Sequence, residues 1–210
     1  MTLTTVAVGG FTSNSGKTGL VCELLGAFAG WEAIKVSRGH YRSCGRDPEA
    51  CCVSPLLGAE PTVRTGRAET YAPGKDTGRY WDAGAANVHW LVATDAQIGR
   101  GITEALSRVS APGVFVEGNS FLRHRAADFF VMCARADGEI KPTARRALPH
   151  VSAFYLSDEG GGAPARERLA AWRESLGGES PVSRVPIYTR AELPLLIERL
   201  RALCAAAAAA

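Results

Sequence analysis

Alternating apolar residues that run into glycines, then a polar loop, then Gly-Lys-Thr, restrict a fold more than any composition can. Here they are Val6-Ala7-Val8-Gly9-Gly10, Phe11-Thr12-Ser13-Asn14-Ser15 and Gly16-Lys17-Thr18, followed by an amphipathic run from Leu20 to Phe28. The order predicts strand, loop and helix, the setting of a phosphate-binding loop. Glycines let main-chain N–H groups face an anion, and the first helical turn aims its partly positive end at the same point. On that reading Gly10, Asn14, Ser15, Gly16 and Gly19 form the cradle. Lys17 reaches the β- and γ-phosphates, and Thr18 offers its hydroxyl to Mg²⁺. The spacing is one residue longer than G-x-x-x-x-G-K-[ST], because position 11 is Phe and five residues separate Gly10 from Gly16. The plainer reading is an ordinary glycine-rich turn with a solvated Lys17. A lysine in a first helical turn opposes the helix dipole, however, unless an anion sits beside it.

The remaining pattern alternates strands with helices. Strands are predicted at Thr4–Gly10, Trp31–Ser37, Asn87–Thr94, Pro112–Gly118, Asp128–Ala134, Ser152–Leu156 and Val185–Tyr188. Helices are predicted at Lys17–Ala29, from an Asp95 N-cap to about Val109, at Thr143–Leu148, Pro164–Leu176 and Arg190–Ala205. Several strands are apolar throughout, so the fold expected is α/β, a mostly parallel sheet with helices on both faces. The 210 residues suffice for one such domain, taken as 1–204, with six alanines at 205–210 from which no function is read. Between Arg38 and Ala86 periodicity dissolves into Gly, Pro, Arg and Cys, apart from short helices at Asp47–Leu57 and Thr77–Ala86. This segment, about 38–86, reads as an inserted substrate or partner region. A net charge of +3 is too small to argue for nucleic acid or a membrane surface. No run has transmembrane length and no signal-type segment opens the chain, so a cytoplasmic protein is expected.

In parallel sheets ligands gather at the carboxyl ends of the strands. Glu117 closes Val114-Phe115-Val116 at such an end, placed to hold Mg²⁺ through water or to polarise an attacking water. Its plainer reading is a solvated strand-end acid. In Gly74-Lys75-Asp76-Thr77-Gly78-Arg79, Lys75 and Arg79 are candidates for phosphate oxygens. Asp76 is a candidate for a metal or a proton, and Thr77 for a helix cap. Ser157-Asp158 follows a strand where an acid can meet a base edge, with Lys141 and Pro142 beside it. Six cysteines in a reducing compartment argue against a disulfide framework. Cys22, Cys133 and Cys204 read as small packed residues. His40, Cys44, Cys51 and Cys52 carry zinc or iron–sulfur donor types without a C-x-x-C spacing, so unliganded thiols are the competing reading. Arg38, Arg42, Arg46, Arg64 and Arg67 make this face basic, suited to an anionic cofactor or equally to solvent.

These stretches resemble the molybdopterin-guanine dinucleotide biosynthesis protein B family of P-loop GTP-binding proteins. The likeness lies in residues 10–18, in Ala33-Ile34-Lys35, in Gly74-Lys75-Asp76-Thr77 through Asp82-Ala83-Gly84-Ala85, in Val116-Glu117-Gly118 and in Val185-Pro186-Ile187-Tyr188. The longer phosphate loop is similar to that of dethiobiotin synthetase. The family's histidine-rich stretch is replaced by Lys35-Val36-Ser37-Arg38-Gly39-His40, and about thirty residues are inserted before Gly74. The resemblance implies a P-loop NTPase fold and Mg²⁺-dependent GTP binding with slow hydrolysis. It also implies a homodimer and an anionic cofactor or partner enzyme of a cofactor pathway. The alternatives are an ATP-dependent small-molecule kinase or ligase, and a metal-binding module with a regulatory nucleotide site.

Overall fold

Residues 3–39, 53–135, 140–157, 162–176, 180 and 182–209 are described by the structure, a computed structural model. The strands in chain order are β1 (Thr4–Gly10), β2 (Glu32–Arg38), β3 (Thr62–Thr65), β4 (Val88–Ala93), β5 (Gly113–Glu117), β6 (Phe129–Ala134), β7 (Ala153–Leu156) and β8 (Ile187–Tyr188). They form one eight-stranded sheet in the order β3-β4-β2-β5-β1-β6-β7-β8. Every neighbouring pair is parallel except β3 with β4. The helices are α1 (Lys17–Ala27), α2 (Arg67–Thr70), α3 (Asp76–Asp82), α4 (Ile98–Ser107), α5 (Pro142–Ala147), α6 (Gly162–Ser175) and α7 (Leu193–Ala209).

The two-residue side-chain period of a strand divides the core in two. Val6, Val8, Ala33, Phe115, Val131 and Tyr155 face one way, onto Leu20 and Leu24 of α1, Tyr80 of α3 and Leu196 and Leu200 of α7. Ala7, Ile34, Leu91, Val116, Met132 and Phe154 face the other way, onto Ile98 and Ile102 of α4, Ala144 of α5 and Leu169 of α6. Each fully buried Leu or Ile in these layers contributes about 1.5–3 kcal/mol. Because both faces are covered, β1, β5 and β6 are buried along their whole lengths, and β6 is apolar at every position. Their carboxyl ends, which carry the 10–18 loop and Glu117, open on the same side.

Five local expectations change. The region 38–86 holds more regular structure than expected, because β3 and α2 lie in its described part besides α3, which overlaps the helix expected at Thr77–Ala86. β3 was illegible because only Val63 of its four residues is buried, so the strand rests on main-chain pairing to β4 at the sheet edge. Of the helix expected at Asp47–Leu57, residues 47–52 lie outside the described residues, and Ser54–Leu56 form one 3₁₀ turn. Asp95 does not cap α4; it pairs with Arg38 at 3.0 Å, and Gln97 occupies the cap position. Thr77 likewise sits buried inside the first turn of α3, with Lys75 at its cap. The last helix continues through Ala209, as alanine's helix propensity favours, and begins with a 3₁₀ turn closed by a Thr189–Glu192 capping box.

Gln97 ties the described end of this region to the sheet. Its Oε1 accepts from the Thr94 N–H at 3.0 Å, while Nε2 donates to the carbonyls of Gly58 and Ala59 at 2.8 Å each. Gln97→Ala is expected to cost about 0.5–1.5 kcal/mol, because three part-buried hydrogen bonds to the main chain are lost. Urea denaturation monitored by circular dichroism checks it; an unchanged midpoint refutes the tie.

Candidate functional site

The loop between β1 and α1 explains its own unusual spacing. Phe11, the residue standing where the shorter pattern has glycine, is fully buried against Phe154 and Trp172, with ring centroids 6.1 and 5.1 Å away. Its N–H donates to the Cys133 carbonyl, and its carbonyl accepts from the Lys141 N–H, both at 2.9 Å. Phe11 therefore prolongs β1, and the exposed turn begins only at Thr12. Asn119 holds the strand end from the other side, its amide accepting from the Gly10 N–H at 2.8 Å and donating to the Gly10 carbonyl at 2.9 Å.

At the other end Gly16 takes φ 81°, a left-handed conformation that suits glycine. A Cβ there would lie 2.2 Å from Cβ of Ser157, whose hydroxyl donates to the Ser15 carbonyl at 2.8 Å. Gly16→Ala is expected to destabilise by about 1–3 kcal/mol through strain and this clash. A thermal melt without ligand checks it, and an unaltered Tm would mean the turn tolerates a side chain.

The main-chain N–H groups of residues 13–19 have no hydrogen-bond partner among the described residues. They form a run of donors at the amino end of a three-turn helix, the arrangement that attracts anions. Lys17 folds back over the loop, its Nζ donating to the carbonyls of Thr12 and Ser13 at 2.9 Å each. Burial lowers its pKa, the attraction of Glu117 only partly opposing this, and Lys35 and Lys141 push the same way as burial. The ammonium is thus short of negative charge where it sits.

Beside the loop lies a cluster of ions that depends on sheet register. Lys35 and Glu117 are direct neighbours in the β2–β5 ladder. Lys35 Nζ lies 2.6 Å from Glu117 and 2.5 Å from Asp76 of α3. Glu117, 3% exposed, also accepts from Thr18 Oγ1 at 2.9 Å and from the Tyr80 hydroxyl. Burial lowers the Lys35 pKa, but its two carboxylate neighbours outweigh this and raise it. Burial likewise pushes Asp76 up, while the bond and charge of Lys35 hold it below its ordinary value. Tyr80 is driven well above a free phenol by burial and then by Glu117, so it remains a donor. Glu117 is committed to three donors and acts as a hub. Asp76, with a side chain 41% exposed, is the more open carboxylate.

An open cavity of about 570 Å³ joins these groups. Of the residues singled out from sequence, Asn14, Gly16, Lys17, Thr18, Gly19, Asp76, Arg79 and Glu117 line it. Gly10 and Ser15 stand behind it as scaffold: Ser15 is fully buried, and its hydroxyl donates to the Thr12 carbonyl at 3.2 Å. Lys75 lines a neighbouring cavity instead. Lys141 reaches the Ser13 hydroxyl from the cap of α5. Asp158, His40, Cys44, Cys51 and Cys52 lie outside the described residues. Sequence reasoning left Lys35, Tyr80 and Asn119 out of the site. A lysine inside the apolar run Ile34-Lys35-Val36 was the one local signal available.

The inner end of the cavity offers oxygen donors from Thr18, Asp76 and Glu117, the type that suits Mg²⁺. Among the described residues no three His, Cys, Asp or Glu side chains converge as a metal set. Cys133 and Cys22 are packed thiols, their pKa values pushed by burial to about 12 and about 11. Among the described residues no helix is long and apolar enough to cross a membrane. Comparison with family models, with curated proteins and with solved structures returned no match for this chain.

Proposed function

We propose that this chain is a P-loop nucleotide-binding protein with a P-loop NTPase fold, taking GTP in preference to ATP together with Mg²⁺. Its role would be in cofactor biosynthesis of the molybdopterin-guanine dinucleotide type, with slow hydrolysis. The observation that carries the nucleotide reading is the run of unpartnered N–H groups at residues 13–19, with the under-compensated Lys17 ammonium lying over them. A triphosphate would supply acceptors to those donors and the missing charge to Lys17. Lys17 then leaves the carbonyls of Thr12 and Ser13 for phosphate oxygens, and Arg79 meets the outer oxygens from α3. Thr18, with Asp76 and Glu117 behind it, would hold the Mg²⁺, which when bound neutralises phosphate charge. Asp76 is the carboxylate placed to accept a hydrogen bond from water or from an acceptor hydroxyl. The GTP preference and the pathway rest on the family resemblance alone.

A second reading, phosphoryl transfer or ligation on a small molecule, is favoured by one observation: another cavity shares Lys35 and Asp76 with the first. Thermal shift with Mg·GTP and Mg·ATP tests the proposal. A nucleotide at one hundred times its Kd stabilises the fold by about 2.7 kcal/mol. GTP alone raising Tm supports the GTP-binding reading, ATP alone favours the kinase or ligase, and no shift with either removes nucleotide binding.

A further inference from the structure

The second cavity, of about 470 Å³, lies on the far side of the Lys35–Asp76 ion pair. Its volume falls in the range of small-molecule sites. Trp90 of β4 forms part of the wall, with its indole N–H fixed by the Ser37 hydroxyl at 2.8 Å. Tyr71, 36% exposed, contributes a second ring. Arg64 of β3 stands over the Trp90 ring, its guanidinium carbon 5.6 Å from the centroid. Lys75 approaches from the start of α3. Among the described residues neither Arg64 nor Lys75 is in an ion pair. Of the two carboxylates present, Asp76 shares the Lys35 ammonium with Glu117, and Glu69 accepts from the Thr65 N–H at 3.1 Å and keeps its charge. Among the described residues Arg64 and Lys75 thus stand without an ion-pair partner above apolar and aromatic walls, with Glu69 the one carboxylate beside them that no cation answers.

We infer that this cavity binds a small organic anion with a flat apolar body, the ring lying along Trp90 and the anionic group meeting Arg64 and Lys75. A ring on Trp90 gains stacking, and a carboxylate between Arg64 and Lys75 gains charge-assisted hydrogen bonds. Because the Lys35–Asp76 pair forms a wall of both cavities, occupancy of one changes the other. That coupling rests on the nucleotide reading; the anion pocket itself does not.

The test uses 2-naphthoate and indole-3-acetate against 2-naphthamide and indole-3-acetamide, titrated into the full chain by calorimetry. Each acid is expected to bind at least tenfold more tightly than its amide. Arg64→Gln should weaken acid binding about tenfold, and Trp90→Phe should weaken acid and amide alike. Neither substitution should alter the nucleotide-dependent Tm shift. A non-hydrolysable triphosphate with Mg²⁺ should change the acid's Kd at least fivefold, the lower end of ordinary coupling. Equal affinity for acid and amide, no saturable binding of either acid, or unchanged acid binding in Arg64→Gln overturns the anion pocket. An acid Kd insensitive to bound nucleotide overturns the coupling. Acids that bind while no nucleotide does would leave the pocket standing and remove the proposed function.

Discussion

Replacing Lys17 with alanine is expected to erase the rise in Tm that Mg·GTP produces. The wild-type shift at one hundred times Kd corresponds to about 2.7 kcal/mol, and for a domain of this size each kcal/mol moves Tm by roughly 2–4 °C. The predicted loss is therefore on the order of 5–10 °C of ligand-induced stabilisation. Without nucleotide the same substitution removes the bonds from Nζ to the Thr12 and Ser13 carbonyls and a long one to the Ser15 hydroxyl, all within the loop itself, so Tm should move little. That contrast separates a binding role from a structural one. A full nucleotide shift in the alanine variant would take Lys17 out of the site.

Glu32→Ala is expected to be the most destabilising of the single substitutions considered, at about 3–5 kcal/mol. Glu32 begins β2 with 2% exposure, and its carboxylate accepts from His89 Nε2 at 2.7 Å. It also accepts from the Ser110 N–H, the Ser110 hydroxyl and the Ala111 N–H at 3.0, 2.9 and 3.0 Å. Truncation leaves the buried His89 ring and the partly buried Ser110 and Ala111 donors without this partner. Burial pushes the Glu32 carboxyl up, but the bonds from His89 and Ser110 outweigh it and hold the pKa below the ordinary 4.5. The folded form thus binds this proton less readily than the unfolded chain. The stabilisation is fully present above about pH 4.5 and is lost as pH falls through the lower folded value. Urea titrations from pH 7 to pH 3 should show this decline in the wild type and a flatter profile in Glu32→Gln. Parallel profiles would place the acid sensitivity elsewhere.

What could be read in advance followed from local rules. The strand, loop and helix around residues 6–28 are legible because a short apolar run, glycines and a helical stretch follow one another within a short span. Glu117 stood out because an acid closes an apolar strand. Lys35 and Tyr80 did not, since their importance comes from partners far along the chain. Lys35 meets Glu117 only because β2 and β5 pair in one register. Tyr80 meets it only because α3 packs over the same end of the sheet. Period-two and period-3.6 patterns carry no information about such pairings. β3 escaped notice for a different reason, since an edge strand with one buried residue has too little apolar pattern to register. The Phe11 insertion looked like a lengthened loop because sequence spacing cannot tell a strand residue from a turn residue.

The ammonium wedged between Glu117 and Asp76 has a consequence for the order of assembly. A bare divalent ion arriving at this end of the sheet finds both carboxylates already answered by a covalently attached cation, and it would have to compete with that cation. Phosphate oxygens change the balance by bringing ligands of their own. Titrated alone, magnesium should therefore bind feebly, and it should enter as the companion of the nucleotide, with Lys35 keeping its seat until then.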